Sequence, residues 1–219
     1  MITIGIEGTP GSGKSTLSKD LALDPRIVHI EVDKFVKKSG LIKLRNILLG
    51  CTNVLSKGVS HRKSRYTRKI KSAEDNIQNK ISTPIILRAA TNVYFRVVSN
   101  IIRKQLKKCE QQGVEIAVVD YALLNVADIW NEFDVRVWVV REDFERKTAV
   151  QNRDSVTGGR VDFLSSFARF SIIQYGDGDV IRIDNNGNRG DLVNKGKKYI
   201  GDMLKSLGHT FSFEDVRER

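Results

Sequence analysis

Residues 8–16 read GTPGSGKST and match the phosphate-loop pattern GxxxxGK(S/T) at every fixed position. The stretch before them, residues 2–6 (ITIGI), is short, apolar and rich in isoleucine, which is typical of a buried strand. The stretch after them is compatible with a helix. A loop of this composition between a strand and a helix turns successive backbone N–H groups toward phosphate oxygens. We therefore expect the chain to bind a nucleoside triphosphate.

The fixed positions of this loop have different expected roles. Glycines let the backbone fold closely around the anion, and the following helix presents its positive N-terminal end to the same phosphates. Lys14 can reach the β- and γ-phosphates of ATP, and the Ser15 hydroxyl can hold Mg²⁺. The loop residues expected to bind the nucleotide are Gly8, Pro10, Gly11, Ser12, Gly13, Lys14, Ser15 and Thr16.

Strand patterns alternate with helical patterns along the rest of the chain. Strands are expected over 27–32, 114–119, 135–140 and 179–183, and helices over 34–49, from Pro84 to Gly113, and over 142–151, 160–174 and 189–206. This alternation predicts an α/β fold of the P-loop NTPase type, with a five-stranded parallel sheet and helices on both faces. We expect one domain over 1–219 with an inserted helical substrate lobe over 34–112. Residues 50–82 show no clear periodicity.

Positive charge is concentrated in one part of the chain. The formal net charge is +11, and between Asp33 and Glu74 there are twelve Lys or Arg residues and no Asp or Glu. The part with the highest density of Lys and Arg, within 57–71, could bind the phosphates of a nucleic-acid backbone. It could also attract a small, multiply phosphorylated substrate, or form a solvated basic surface. The sequence leaves these three interpretations open.

Other features of the composition limit the class of protein. No apolar run approaches the roughly 18 residues of a membrane span, so we expect no membrane partner. The chain enters its first strand almost at once, which leaves no room for a targeting segment. The two cysteines, Cys51 and Cys109, suggest neither a metal site nor a disulfide framework. We therefore expect a cytoplasmic protein and make no prediction of its oligomeric state.

Two aspartates at the ends of predicted strands are candidates for chemistry. Asp120 follows the apolar run 116–119, where P-loop proteins place a carboxylate that orients Mg²⁺. Asp33 ends the second strand, and it should face the same site because ligands gather at the carboxyl ends of parallel strands. A carboxylate there could accept the proton of an attacking hydroxyl. Either aspartate could instead cap a helix or a turn.

Three arginines, Arg146, Arg153 and Arg160, lie seven residues apart. Phosphoryl transfer needs fixed positive charge on the oxygens that gain negative charge. A mobile lid can supply this charge when it closes, and it also excludes water. Two consecutive glycines at 158–159 offer the necessary flexibility, so we expect a lid over 152–160 and catalytic roles for Arg146 and Arg153. A surface salt bridge is the alternative for each arginine.

Several segments together resemble the dephospho-coenzyme A kinases, a family of phosphate-loop small-molecule kinases. The most specific segment is 178–187 (GDVIRIDNNG), which is similar to the family's final strand and its Asp-Asn-x-Gly turn beside the adenine. The other similar segments are Ile4–Thr16, Glu31–Lys34, Thr83–Ile86, Val118–Leu124 and Arg153–Thr157.

The resemblance implies a specific reaction and a set of roles. The γ-phosphoryl of ATP would be transferred, with Mg²⁺, to the ribose 3′-hydroxyl of dephospho-coenzyme A, the last step of coenzyme A biosynthesis. Asp33 falls on the family's presumed base, and Asn185 and Gly187 fall on the turn beside the adenine. The partner would therefore be a small phosphorylated acceptor.

The chain departs from the family pattern where the acceptor would lie. Thr83 stands where the family has His, Ala122 where it has Pro, and Phe167 near an expected Gln. The resemblance therefore supports ATP-dependent phosphoryl transfer better than it supports this acceptor. One alternative is a kinase for a nucleoside or nucleotide, and another is a catalytically weak homologue that only binds nucleotide.

A third alternative comes from a different class of protein. A P-loop protein could use ATP as a switch and bind nucleic acid through the basic segment 57–71. The predicted arginine lid and the final turn favour the small-molecule kinase over this alternative.

Overall fold

The computed structural model describes residues 1–38, 85–142 and 180–213, together with positions 145 and 148. The described strands are β1 (Ile2–Glu7), β2 (Ile27–Glu31), β3 (Ile116–Asp120), β4 (Val135–Val140) and β5 (Val180–Asp184). The described helices are α1 (Lys14–Leu21), α2 (Val32–Lys38), α3 (Ile85–Gln111) and α4 (Arg189–Ser206), and Trp130–Glu132 forms a short 3₁₀ turn.

The five strands form one parallel sheet in the order β2-β3-β1-β4-β5. The first strand is central, so the loop that follows it leaves the middle of the sheet's carboxyl edge. In register, Ile6 of β1 and Glu31 of β2 both lie beside Asp120 of β3. The predicted α/β fold with a five-stranded parallel sheet is confirmed.

One face of the sheet packs against α1 and α4. Side chains of this core come from the strands (Ile4, Ile6, Ile27, Ile116, Val118, Val135, Val137, Val139 and Ile183) and from the two helices (Leu17, Leu21, Leu192, Ile200 and Leu204). Burial of one such side chain is worth about 1.5–3 kcal/mol relative to exposure. Gly196 allows α4 to lie close to α1, because a Cβ there would collide with the Leu17 side chain. This packing holds α1, and with it the phosphate loop, against the sheet.

The opposite face of the sheet is also buried. Ala117 and Val119 of β3 are fully buried on that side, because successive side chains of a strand alternate between the two faces. The ring of Phe133 covers Gly5, where a Cβ would lie only 2.5 Å from a ring atom. Burial on both faces at β3 is the reason that this strand reads as a continuous apolar run up to Asp120.

Most boundaries agree with the sequence pattern, and one difference bears on the site. The helix predicted from Pro84 to Gly113 is α3, and Gly113 follows it with a φ of 71°, a conformation that favours glycine at a helix end. The second strand was expected to reach Val32, but its pairing with β3 ends at Glu31 and α2 begins at Val32. Asp33 therefore lies in the first turn of a helix rather than at the end of a strand.

The chain divides into two compact units, one of Met1–Phe35 with Val98–Arg219 and the other of Val36–Val97. The predicted lobe over 34–112 stays a prediction, since most of its middle lies outside the described residues. Of the helix predicted over 142–151, only positions 142, 145 and 148 are described, and 145 and 148 are helical; the helix predicted over 160–174 and the predicted lid fall outside the described residues. None of the described helices has the length and apolar character needed to cross a membrane.

Candidate phosphate-binding site

The loop between β1 and α1 is shaped by two glycines with left-handed backbone conformations. Gly11 has a φ of 83° and Gly13 a φ of 102°, values that other residues rarely adopt. The chain makes a turn over residues 9–12, in which the Ser12 N–H donates to the Thr9 carbonyl at 3.0 Å. Gly8 is needed for a different reason, because a Cβ there would lie 2.5 Å from both Ser12 Oγ and the Val139 carbonyl oxygen.

The N-terminal end of α1 has the properties of an anion site. Gly13 is the N-cap, no side chain caps the helix, and its first turn contains no acidic residue. The N–H groups of that turn and the helix dipole therefore favour a negative group from outside the helix. Ser12 is fully buried, and its Oγ has no hydrogen-bond partner among the described residues. A buried hydroxyl without a partner is costly, so both features fit a bound phosphate.

Asp120 and Ser15 meet at the carboxyl edge of the sheet, as a shared magnesium site requires. Asp120 is the last residue of β3 and is 3% exposed, and the Ser15 hydroxyl lies close enough to its carboxylate to lower the pKa of that group. Magnesium in such sites is held by one or two protein groups together with substrate phosphates. The donor types therefore fit the cation. No cluster of three or more His, Cys, Asp or Glu residues suited to a metal occurs in the described part of the chain.

The surroundings of Asp120 keep its carboxylate ionised. Burial alone would raise its pKa, but the neighbouring His29 and Ser15 side chains and the nearby charge of Lys14 together lower the pKa below the ordinary value of an aspartate. The His29 Nε2 lies 3.1 Å from Asp120 Oδ1. An ionised carboxylate beside a lysine and a hydroxyl can orient a divalent cation next to a phosphate.

The sequence pattern did not identify His29 as a site residue. It lies on β2 on the same face as Asp120 of the neighbouring strand, where strand alternation places every second residue. A polar residue at alternate positions of an otherwise apolar strand was the available signal. It could not be used without knowing that β2 pairs with β3.

Glu31 is a second acidic group at this edge. It is the last residue of β2 and lies in register beside Asp120. Its Oε2 is 2.8 Å from Nζ of Lys34, one turn into the next helix. The charge of Lys34 also acts on Asp120, so these three residues belong to one cluster of charges. The Glu31–Lys34 pair was not predicted as part of the site.

Asp33, the predicted base, is half-buried in the first turn of α2. A carboxylate at that position interacts favourably with the helix dipole. Asp33 lies two residues beyond Glu31, and no hydrogen bond or ion pair among the described residues links it to Asp120 or to the phosphate loop. Its assignment as a base therefore stays a prediction.

Asn185 follows β5 and reaches the phosphate loop. Its Nδ2 donates to the Ser12 carbonyl at 2.7 Å, and its backbone N–H donates to the Val140 carbonyl at 2.7 Å. The residue is 7% exposed. The structure thus brings Asn185 to the loop, as a nucleotide site requires, but its amide is engaged with the loop's backbone.

The rest of the final turn connects β5 to α4. Gly187 packs against the first turn of α4, where a Cβ would lie 2.8 Å from Asp191 Oδ2. Asn188 caps α4, since its side chain accepts from the Asp191 N–H at 2.9 Å. The predicted role of Gly187 beside the adenine is not tested by these contacts.

Glu7, at the end of β1, also went unrecognised in the sequence. It is 1% exposed, and its Oε2 accepts a hydrogen bond from the Asn125 N–H at 2.8 Å. This contact ties the segment after β3 to the base of the phosphate loop. A glutamate just before the loop's first glycine was visible in the sequence, but its partner is 118 residues away.

Several predicted residues lie outside the described part of the chain. They are Arg146, Arg153 and Arg160, the basic segment 57–71, and the acceptor-side positions Thr83 and Phe167. Ala122 is described and is half-buried just after β3.

A shallow groove of about 450 Å³ lies elsewhere, on β5 and α4. It is lined by Ile181, Arg182, Tyr199, Asp202, Met203 and Ser206. None of the predicted site residues lines it, so the groove does not coincide with the phosphate-binding edge.

Comparisons with known proteins support the fold. No protein-family model matches the chain, and no curated protein matches it either. Among solved structures, a sugar kinase from Janibacter sp. HTCC2649 aligns with a TM-score of 0.53 and 14% identity, over 96% of this chain and 99% of that one. The protein TT1252 from Thermus thermophilus aligns with a TM-score of 0.51 and 17% identity, over 94% and 97% of the two chains. At such identities the similarity establishes a shared α/β fold and no more.

Proposed function

We propose that this protein is an ATP-dependent small-molecule kinase that uses Mg²⁺, and that its acceptor is dephospho-coenzyme A. The observation that carries the proposal is the placement of Lys14 and the Ser15 hydroxyl, at the start of a helix that no side chain caps, beside the buried Asp120 carboxylate. This arrangement brings together a candidate cation-binding pair, a positive charge and a set of backbone donors. All three are needed for a magnesium-bound triphosphate.

Each group has a role in this proposal. Bound ATP supplies the phosphoryl group, and Mg²⁺ neutralises part of its charge. Ser15 and Asp120 would hold the cation, His29 would fix the Asp120 carboxylate, and Lys14 would neutralise charge on the transferred group. The uncapped N–H groups of α1 hold the phosphates through the whole reaction.

Asp33 acts on the acceptor in this proposal. Its carboxylate takes the proton of the acceptor hydroxyl as the oxygen–phosphorus bond forms and the bond to the β-phosphate oxygen breaks, which releases ADP. Arg146 and Arg153 add positive charge to the transferred group, as we expect from the sequence. The products are ADP, the phosphorylated acceptor and one proton.

Charge and resemblance support dephospho-coenzyme A as the acceptor. The molecule carries a diphosphate, which suits the strongly basic segment between Asp33 and Glu74. Its ribose hydroxyl is a suitable nucleophile for a carboxylate base. Since a solved sugar kinase shares the fold, sugars belong with nucleosides and nucleotides in the set of competing acceptors.

The proposal is tested by measuring ADP release with Mg-ATP and a panel of acceptors. The panel contains dephospho-coenzyme A, nucleosides, nucleotides and sugars, and the product is identified by mass. We expect acceptor-dependent turnover well above the ATP-only rate with dephospho-coenzyme A, and a product heavier by one phosphate. Turnover only with another acceptor would retain the kinase and replace its substrate.

A separate measurement addresses the nucleic-acid alternative. Binding of a single-stranded oligonucleotide is measured at several salt concentrations, because phosphate contacts make such binding fall steeply with salt. We expect weak binding that does not depend on ATP. Tight, ATP-dependent binding without turnover on any acceptor would contradict the kinase proposal.

A further inference from the structure

We propose that Asn185 is a positioning residue for the triphosphate: its side-chain amide locks the peptide between Ser12 and Gly13, so that the Gly13 N–H faces the phosphates. The inference rests on the proposed function, because it concerns the same phosphate loop. It differs from the role beside the adenine that the resemblance implies for Asn185. The proposed role of Asn185 concerns the phosphates, which all nucleoside triphosphates share.

The hydrogen bond from Asn185 is short and buried. Its Nδ2 lies 2.7 Å from the Ser12 carbonyl oxygen, and the residue is 7% exposed. The partner is a carbonyl, which can only accept, so the atom facing it must be the amide nitrogen. The Asn185 backbone is also fixed, since its N–H continues the pairing of β5 with β4 by donating to Val140. The donor is therefore held rigidly by the sheet.

The direction of the Ser12 carbonyl determines the direction of the next N–H group. A trans peptide is planar, and its C=O and N–H point in opposite directions. While the Ser12 carbonyl points at Asn185, the Gly13 N–H must point away from Asn185, toward the inner side of the loop. A flip of this peptide would turn the N–H away from the anion and present a carbonyl oxygen to it.

Glycine at position 13 makes this lock necessary. Its φ of 102° is available to glycine, and glycine is also the residue whose neighbouring peptides rotate most easily. The Asn185 amide packs directly against Gly13, where a Cβ would collide with Nδ2. A loop that needs glycine for its shape thus gains a fixed orientation from a residue 173 positions away.

Binding measurements with three probes distinguish this role from base recognition. The affinities of Mg-ATP, Mg-GTP and inorganic tripolyphosphate are measured by calorimetry for the wild type and for Asn185→Ala. We expect each probe that the wild type binds to bind about tenfold more weakly to the variant, by a common factor, since tripolyphosphate has no base. Asn185→Asp should be weaker still, because a carboxylate attracts the Gly13 N–H and repels the Ser12 carbonyl.

The matched control is Asn186→Ala. The Asn186 amide donates to Glu142 Oε1 at 3.3 Å, and its oxygen accepts from the Glu142 N–H at 3.2 Å, so it lies in the same turn without bonding to the loop. We expect its tripolyphosphate affinity to stay within about twofold of the wild type. Melting temperatures establish that each variant is folded.

Two measurements on the wild type keep the inference testable if Asn185 variants do not fold. The Asn185 side-chain amide protons should exchange slowly with solvent in the free protein, and the Gly13 amide resonance should shift on addition of tripolyphosphate.

Loss of ATP affinity alone in Asn185→Ala, with tripolyphosphate affinity unchanged, would assign Asn185 to the base and overturn the inference. Wild type that binds none of the three probes would overturn the proposed function itself.

Discussion

Two groups of polar side chains lie at the same edge of the sheet, and they differ in how deeply their side chains are buried. Around the phosphate loop the groups are buried and have fixed partners: Asn185 bonds to Ser12 at 2.7 Å, and Asp120, 3% exposed, is held by His29 and Ser15. At the end of β2, Glu31 pairs with Lys34, whose side chain is 68% exposed.

The proposed function accounts for this difference. A triphosphate is recognised by donors that are oriented in advance, because every donor that must reorganise costs free energy at the moment of reaction. An acceptor has to enter and leave, so groups that act on it must stay accessible. We therefore expect substitutions near the loop to affect both nucleotide binding and turnover, and substitutions at the end of β2 to affect turnover alone.

Substitution of Lys14 should have the largest effect. Lys14→Ala removes the charge that neutralises the transferred phosphoryl group, and we expect kcat to fall by about a thousandfold, with weaker ATP binding. Steady-state kinetics and calorimetry give the two quantities. Lys19→Ala, an exposed lysine in the last turn of the same helix, is the control and should leave both unchanged. Equal effects of the two variants would mean that net charge, and not position, is responsible.

Asp33→Asn should have the next largest effect. It should distinguish a residue that acts on the acceptor from the residues that bind the nucleotide. We expect kcat to fall by about a hundredfold, because a carboxamide cannot accept the acceptor's proton, while ATP affinity stays near that of the wild type. Glu31→Gln is measured beside it, since Glu31 lies in register with Asp120. Unchanged turnover in Asp33→Asn with a large loss in Glu31→Gln would move the base to Glu31.

Much of the fold could be predicted because the relevant signals are local. A strand buried on both faces produces an apolar run such as 116–119, and glycines such as Gly113 end helices in the left-handed conformation. The phosphate loop was recognised for the same reason, since its shape depends on glycines spaced within a few residues.

The remaining parts of the site depend on which strands are neighbours. His29 meets Asp120 only because β2 pairs with β3, and periodicity does not encode the strand order. Asn185 reaches Ser12 across 173 positions for the same reason. The end of β2 was misplaced by one residue because Val32 is as apolar in a buried helix as in a strand, so only the pairing shows where the strand stops.

The smallest expected effect is on stability, at a carboxylate away from the site. Asp24 is buried, and its side-chain hydrogen bonds with Arg26, at 2.6 and 2.9 Å, hold its pKa below the ordinary value despite burial. Asp24→Asn should lower the free energy of unfolding at pH 7 by about 1 kcal/mol, since Arg26 is partly exposed. Urea unfolding followed by circular dichroism gives this value.

The stability lost in Asp24→Asn should depend on pH, and the direction of this dependence follows from the lowered pKa of Asp24. Because folding lowers the pKa of Asp24, its contribution to stability is complete above the unfolded-state pKa, about 3.9, and disappears as the pH falls through the folded-state pKa. The difference between wild type and Asp24→Asn should therefore be constant near neutral pH and shrink in acid. A difference that grows in acid would contradict the ion-pair explanation.

The magnesium dependence of ATP binding, compared between wild type and Asp120→Asn, tests the central claim most directly. Asp24→Asn is the control, because both carboxylates are buried with a lowered pKa but only Asp120 contacts Ser15. We expect Mg²⁺ to strengthen ATP binding in wild type and in Asp24→Asn, and Asp120→Asn to need about tenfold more Mg²⁺ for the same gain. The same Mg²⁺ dependence in all three proteins, or no ATP binding by the wild type, would contradict a magnesium–triphosphate site at this edge.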